Sequence, residues 1–227
     1  MKLKLITLIA MGLGAANATT VGFIDWTFGN GIIGNFNNDP SGLVSSSSTT
    51  QAGNKVTFNI TFDATSVGGT ALETVAFDLD FSSSTGTVNY NNSAGFGYGV
   101  GTTGTAEGDQ ITAALSVSSA NSYVSNLTFT SVDLLEIAGG LGEPDVSFSF
   151  NNGETSTLFD PQEVAMGLST SGLVTGFTVS NVDTDGTGQA FNVGGVGIQF
   201  DVVAVPEPTS AALLGLGGLA LITRRKR

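Results

Sequence analysis

The sequence lacks two residue types on which much enzyme and metal chemistry depends, because its 227 residues include no cysteine and no histidine. Without cysteine the chain has no disulfide framework, no thiol nucleophile and no thiolate metal site. Without histidine it has no Ser-His-Asp triad and no imidazole metal ligand. We therefore expect a protein that is not an enzyme and that carries no resident cofactor.

Positive charge is scarce away from the two ends of the chain. Six of the seven basic residues lie within four residues of a terminus, and residues 19–205 hold eighteen acidic residues against Lys55 alone, a net charge of −17. A body with this charge repels nucleic acid and anionic lipid. The charge distribution predicts an acidic, exported protein that does not bind nucleic acid.

The N-terminal segment has the features of a secretory signal peptide. Lys2 and Lys4 precede the uncharged apolar run 5–16, and Ala16-Asn17-Ala18 provides small residues at a cleavage site. The apolar run is short for a membrane span. We predict that residues 1–18 direct the chain to the secretion machinery and that cleavage falls between Ala18 and Thr19.

The C-terminal segment combines three elements. Pro206, Glu207 and Pro208 precede the uncharged stretch 209–223, and the chain then ends in a basic cluster made of Arg224, Arg225, Lys226 and Arg227. As a helix, 15 residues span about 22 Å, less than the roughly 30 Å hydrocarbon core of a bilayer. Snorkelling basic side chains or local thinning would make up the difference. The segment predicts a single hydrophobic transmembrane helix with the basic cluster on the cytoplasmic side.

Together these elements resemble a PEP-CTERM protein-sorting domain, which would occupy residues 205–227. The resemblance implies that Pro206, Glu207 and Pro208 form the recognition motif and that the basic cluster acts as a stop signal. It also implies a partner, an exosortase, which is a membrane-embedded processing enzyme of Gram-negative bacteria that make extracellular polysaccharide. The protein would then be anchored transiently in the inner membrane and end at the cell surface or outside the cell.

The body, residues 19–204, has the composition and periodicity of strands. In residues 55–63 and again in residues 75–81, apolar side chains alternate with polar ones, which places one face of each strand in a core. Breaks rich in Gly and Asn separate about ten such runs. We predict an all-β protein, an antiparallel β-sandwich, with a jelly roll as the preferred topology.

Two local patterns depart from alternating strands. Asp160-Pro161-Gln162-Glu163 has a capping residue, a proline suited to the first turn and a capping-box glutamate, which predicts a short helix ending at Gly167. The polar stretch Ser45–Thr50 is typical of a surface loop.

Residues 181–186 alternate oxygen-bearing side chains before a glycine, as calcium loops do. Asn192 stands where the bidentate glutamate of such a loop would fall, which favours an ordinary β-turn instead. If calcium binds to this chain, Asp183 and Asp185 are the expected ligands.

Two pairs of carboxylates are candidates for hydrolytic chemistry. Asp78 and Asp80 lie two residues apart on the solvent side of one strand, and Glu107 and Asp109 lie in a loop. Glycoside hydrolysis needs such a pair, one residue as acid and the other as nucleophile or base. The more ordinary interpretation is a charged outer face that keeps the sheet soluble.

Aromatic side chains are the remaining candidates for ligand binding. Trp26 lies between apolar neighbours of one strand face and is expected in the core, whereas Tyr90, Tyr98 and Tyr123 stand in Gly- and Asn-rich surroundings that suit a sugar platform. We expect a structural or adhesive protein of the cell surface or extracellular matrix, with extracellular polysaccharide as a ligand. The alternatives are a polysaccharide hydrolase using Asp/Glu pairs and a calcium-stabilised binding module.

Overall fold

The computed structural model describes residues 19–29, 31–35, 43–65, 72–91, 97–102, 104–118, 123–137, 145–158, 164–167, 172–183 and 190–203. These ranges carry fourteen β-strands arranged in two antiparallel sheets, which confirms the predicted all-β class. The predicted signal peptide and C-terminal helix lie outside these ranges. The described residues contain no helix long and apolar enough to cross a membrane.

The two sheets have seven strands each. Sheet A runs in the order β12-β9-β14-β1-β2, with β7 beside β14 and β6 beside β7, and sheet B runs in the order β11-β10-β13-β8-β5-β4-β3. The strands of sheet A are β1 (Thr19–Gly29), β2 (Gly31–Asn35), β6 (Val88–Asn91), β7 (Gly97–Val100), β9 (Val124–Ile137), β12 (Val164–Gly167) and β14 (Ala190–Val202). The strands of sheet B are β3 (Val44–Ala52), β4 (Lys55–Asp63), β5 (Leu72–Ser82), β8 (Gln110–Val117), β10 (Val146–Phe150), β11 (Thr155–Leu158) and β13 (Gly176–Asn181).

The core is aromatic and lies between the sheets. Phe200 of β14 lies 5.1 Å from Phe77 and 6.3 Å from Phe62 between ring centroids, so sheet A contacts both β5 and β4 of sheet B. Phe129 of β9 contacts Phe177 of β13 in the same way, at 5.0 Å. Each buried phenylalanine contributes about 1.5–3 kcal/mol through the area it removes from water. These contacts define a two-layer β-sandwich-like arrangement.

The short helix predicted to end at Gly167 is not found among the described residues; that prediction is wrong. Residues Val164–Gly167 form strand β12, in which Met166 pairs with Val132 of β9. One helical turn would leave most of its backbone groups without an intrahelical partner, whereas pairing with β9 supplies them. The predicted capping residues 160–163 lie outside the described ranges.

The surface loop predicted for Ser45–Thr50 is also wrong, because these residues belong to strand β3. These residues form most of a nine-residue strand that pairs with β4 through a hairpin. Gly53 has a φ of +63°, which places it at the first position of a type II′ turn, the connection that matches the twist of paired strands. Threonine is compatible with a strand, and the turn places this polar stretch beside β4. Pairing with β4 therefore makes it a strand and not a loop.

The two ends of the sandwich differ in what they hold. The terminal end contains Thr19 and Val202, which pair directly between β1 and β14. The turn end contains the β3–β4 turn and the loops 83–87 and 104–109, where Thr105 pairs with Phe191 at the start of β14. Strand β14 therefore runs from the turn end to the terminal end.

Candidate functional site

An open groove of about 720 Å³ lies at the turn end of the sandwich. Its walls come from the β3–β4 hairpin, the last residues of β5 and the loop leading into β6. The residues lining it are Gln51, Gly53, Asn54, Phe81, Ser82, Ser83, Gly86, Thr87, Val88, Asn89 and Tyr90. The register between β4 and β5 and the two-residue turn bring the hairpin next to the end of β5, so sheet pairing creates the groove.

Tyr90 provides an aromatic surface to the groove and is supported by other rings. Its ring lies 5.4 Å from that of Tyr98, which is fully buried and stacks on Phe81 at 4.2 Å. Burial raises the pKa of Tyr90. Burial also raises the pKa of Tyr98, and an interaction with the Gln51 side chain opposes that shift only partly. Both phenols are therefore neutral at physiological pH.

The polar side chains around Tyr90 are held in place by the backbone. Asn89 Nδ2 donates to the carbonyl oxygen of Gly101 at 3.0 Å, and Asn54 Nδ2 donates to that of Phe81. Of the described residues that line the groove, none is charged at neutral pH. The other lining ring, Phe81, is fully buried, so the groove offers amides, hydroxyls and the partly exposed ring of Tyr90, which suit a neutral ligand with many hydroxyl groups.

The Asp78–Asp80 pair does not form two solvated carboxylates. Lys55 Nζ lies 2.5 Å from Asp78 Oδ2, and Thr57 Oγ1 donates to Asp78 Oδ1 at 2.7 Å. Asp78 lies on the face of β5 opposite the side chains of Phe77 and Leu79, but it is only 8% exposed because Lys55 and Thr57 cover it. Burial acts to raise the pKa of Asp78, but the hydrogen bonds from Lys55 and Thr57 outweigh it and hold that pKa below its usual value. A general acid needs the opposite shift.

The other predicted acidic residues converge at the turn end. Asn181 N donates to the carbonyl oxygen of Asp109 at 2.9 Å, and Val182 N donates to that of Asp145 at 2.9 Å, so backbone pairing brings the 107–109 loop beside Asp183. Asn181 is buried and structural, because its side chain donates to Thr105 O and accepts from Asp183 N. No group of three acidic residues in the described ranges is placed to hold a metal ion. Asp185 lies outside those ranges.

The predicted tyrosines have different positions. Tyr98 is in the core and not on a binding surface, because β7 is paired with both β6 and β14 and all four of its residues are buried. Tyr90 lines the groove, and Tyr123 is half-buried at the terminal end, where its carbonyl oxygen accepts from Val203 N at 2.8 Å. The side chain of Trp26 lies outside what the structure describes. Sequence patterns did not indicate the groove, because its walls come from three separate segments.

The C-terminal segment, which lies outside the described ranges, is the part of the chain that matches a known family. The family model described as PEP-CTERM protein-sorting motif matches residues 204–227, so the chain ends in a PEP-CTERM motif, as predicted. No curated protein and no solved structure matches the chain. PEP-CTERM motifs are processed by an exosortase, which implies that this protein is exported to the cell surface or the extracellular space.

Proposed function

We propose that this protein is a structural or adhesive component of the cell surface or extracellular matrix, with a jelly-roll-like β-sandwich that binds extracellular polysaccharide. Residues 1–18 would act as the signal peptide, and residues 209–223 would hold the chain briefly in the inner membrane. The exosortase would recognise Pro206, Glu207 and Pro208 before releasing the body. The matched sorting motif supports the export route, and the groove at the turn end supports the binding role.

The composition of the groove is the observation that carries the binding proposal. Its volume falls within the range of about 300–1,000 Å³ usual for small-molecule sites. Tyr90 supplies a flat apolar surface for a sugar ring, and Asn54 and Asn89 supply amide groups for its hydroxyls. Because the lining is uncharged and the body carries −17, a neutral polysaccharide fits better than an anionic one.

A binding experiment with matched tyrosine variants tests this proposal. The exported, processed protein is applied to immobilised neutral and anionic glycans, and we expect it to retain a neutral one. Tyr90→Ala should weaken that binding by about tenfold or more, whereas Tyr123→Ala at the opposite end should leave it unchanged. Equal binding by wild type and Tyr90→Ala would remove the groove from the proposal. Release of reducing sugar would favour the hydrolase alternative instead.

One observation favours a calcium-stabilised module as the second candidate. The backbone pairing of Asn181 and Val182 brings the main chains of Asp109 and Asp145 beside the segment that carries Asp183. The described carboxyl groups form no group of three around one point, so Asp185 or water would have to complete the ligand set. Calcium prefers such oxygen ligands, and binding to the folded state would raise the melting temperature. Thermal unfolding in calcium and in chelator tests this candidate, and an Asp183→Asn variant should lose any difference. Identical melting curves would eliminate it.

A further inference from the structure

Strand β3 forms a long and open edge of sheet B. It has nine residues and forms one edge of sheet B, whereas β11 at the other edge has four. The edges of sheet A are β12, β2 and β6, which have four, five and four residues. Edge strands present unpaired backbone groups that can pair with another strand. Within the described part of the chain, β3 is the longest such edge.

Both faces of β3 are open to solvent along most of its length. Ser47 and Gln51 are exposed, although they pair with the core residues Ile60 and Val56 and so point toward the side of the core. Strand β2 lies close to β3 but belongs to the other sheet and is not paired with it. The inward-facing side of β3 is therefore not covered in the way that β4 is covered.

Strand β3 lacks most of the features that keep edges apart. Natural edge strands carry charges, prolines or bulges, or are very short. Residues Val44–Ala52 include no charge and no proline, and their one register shift lies at the first residues, between Val44 and Ser46. The strand is also hydrophilic, with six consecutive hydroxyl side chains, so it does not have the apolar character of an amyloid-forming segment.

The hairpin geometry identifies the backbone groups that are free. A two-residue turn is closed by a hydrogen-bonded pair, here Ala52 and Lys55, and bonded pairs then alternate along the hairpin. Ser47, Thr49 and Gln51 consequently direct their N–H and C=O groups away from β4. Among the described residues, none hydrogen-bonds these outward groups.

We propose that β3 pairs with β3 of a second copy of this chain, antiparallel about a two-fold axis near Thr49. The strand is complementary to itself in that arrangement, because Ser47 of one copy then faces Gln51 of the other and hydroxyl side chains meet across the pair. The rest of the body is acidic, so two copies approach with least repulsion along this uncharged edge. This pairing would join two sandwiches into a continuous sheet and does not depend on glycan binding.

Matched proline variants test the pairing in the exported, processed protein. Sedimentation equilibrium over roughly 1 µM to 1 mM should show self-association of the wild type. Thr49→Pro removes one outward N–H without removing a β3–β4 bond and should weaken association by about tenfold or more. Thr157→Pro, at an outward position on the short edge β11, should leave association unchanged. A wild type that stays monomeric, or equal association of the two variants, would overturn the proposal.

Cysteine variants provide a second test that does not depend on a proline being tolerated. The chain contains no cysteine, so a single introduced thiol reports only on contacts between copies. Thr49→Cys places a thiol at the proposed two-fold axis, where it faces the same residue of the other copy, and Thr157→Cys places one on the opposite edge strand of sheet B. Under mild oxidation we expect disulfide-linked dimers of Thr49→Cys at protein concentrations at least tenfold lower than for Thr157→Cys. Equal rates for both variants would contradict pairing through β3.

Discussion

The two sheets differ in how many of their strand residues are buried. In sheet B, strands such as β4 and β13 alternate buried and partly exposed residues, so one face meets the core and the other meets solvent. In sheet A, β14 is buried at eleven of its thirteen positions and carries glycines at 194, 195 and 197. A Cβ at Gly194 would overlap the Leu135 side chain, and one at Gly197 would overlap Thr130 and Ser131.

Side chains of β9 therefore cover the outer face of β14, the face that points away from sheet B. The corresponding outer face of sheet B is open to water. Glycine is needed in β14 because neighbouring side chains occupy the space that its own would take. Sheet B therefore depends on large inward phenylalanines, and sheet A depends on small residues that allow close approach. Substitutions of single residues test how each sheet is packed.

Truncation of Phe77 should be the most damaging of these changes. Phe77 is fully buried in β5 and contacts Phe200 of β14, so Phe77→Ala removes a contact that joins the two sheets and leaves a cavity. We expect a loss of about 3–5 kcal/mol in the free energy of unfolding, measured by urea denaturation. Thr74→Ala, on the solvent side of the same strand, should change it by less than about 0.5 kcal/mol. Similar losses for both would mean that β5 has no dry face.

Substitutions of Gly97 and Gly53 distinguish two reasons for a glycine, a positive φ and a neighbouring strand that leaves no room for a side chain. Both have positive φ, but a Cβ at Gly97 would overlap the Val193 carbonyl oxygen and lie 2.9 Å from Asn192 Cβ, whereas Gly53 has open space around it. Gly53→Ala should cost about 1 kcal/mol from strain alone. Gly97→Ala should cost about 1–3 kcal/mol more, because β7 must move away from β14. Equal melting temperatures of the two variants would show that β14 tolerates looser packing.

Substitution of Asp78, on the outer face of sheet B, should change the free energy of unfolding least. Asp78→Asn should lower the free energy of unfolding by about 1 kcal/mol at pH 7, because the ion pair with Lys55 is lost. Since the pKa of Asp78 is lowered in the folded state, this stabilisation is present above its ordinary pKa of 3.8. It disappears as the pH falls through the folded-state pKa.

The measurement for Asp78 is denaturation of wild type and variant from pH 7 down to pH 2. The difference between them should shrink as the pH falls below 3.8. A difference that stays constant with pH would assign the effect to packing and not to charge.

The strands with one dry face were predictable from the sequence. In β4 and β5 every second residue is apolar, and the structure buries Val56, Phe58, Val75 and Phe77 as that period requires. The sorting motif was also predictable, because three elements in a fixed order at one end of a chain need no tertiary information. Local patterns were sufficient wherever a single segment determined the outcome.

Features that depend on several segments were not predictable. Ser45–Thr50 become a strand because β4 pairs with them, and Val164–Gly167 pair with β9 instead of forming a helical turn. The groove depends on the approach of the hairpin, β5 and β6, and Asp78 is covered because register brings Lys55 and Thr57 beside it. Sequence periodicity does not record which strands become neighbours.

The pairing of Thr19 with Val202 bears on how the protein would be released from the cell. Both hydrophobic segments of the precursor would leave the sandwich at the terminal end, with Pro206 only four positions beyond the last strand residue. Tyr90 of the groove is level with Val193, nine residues before Val202 along β14, so at about 3.3 Å per residue the groove lies roughly 30 Å from that attachment. A cut beyond Val203 severs no backbone pairing of the described sandwich. Shedding would then free a body that is already folded, with its groove facing outward from the moment of export.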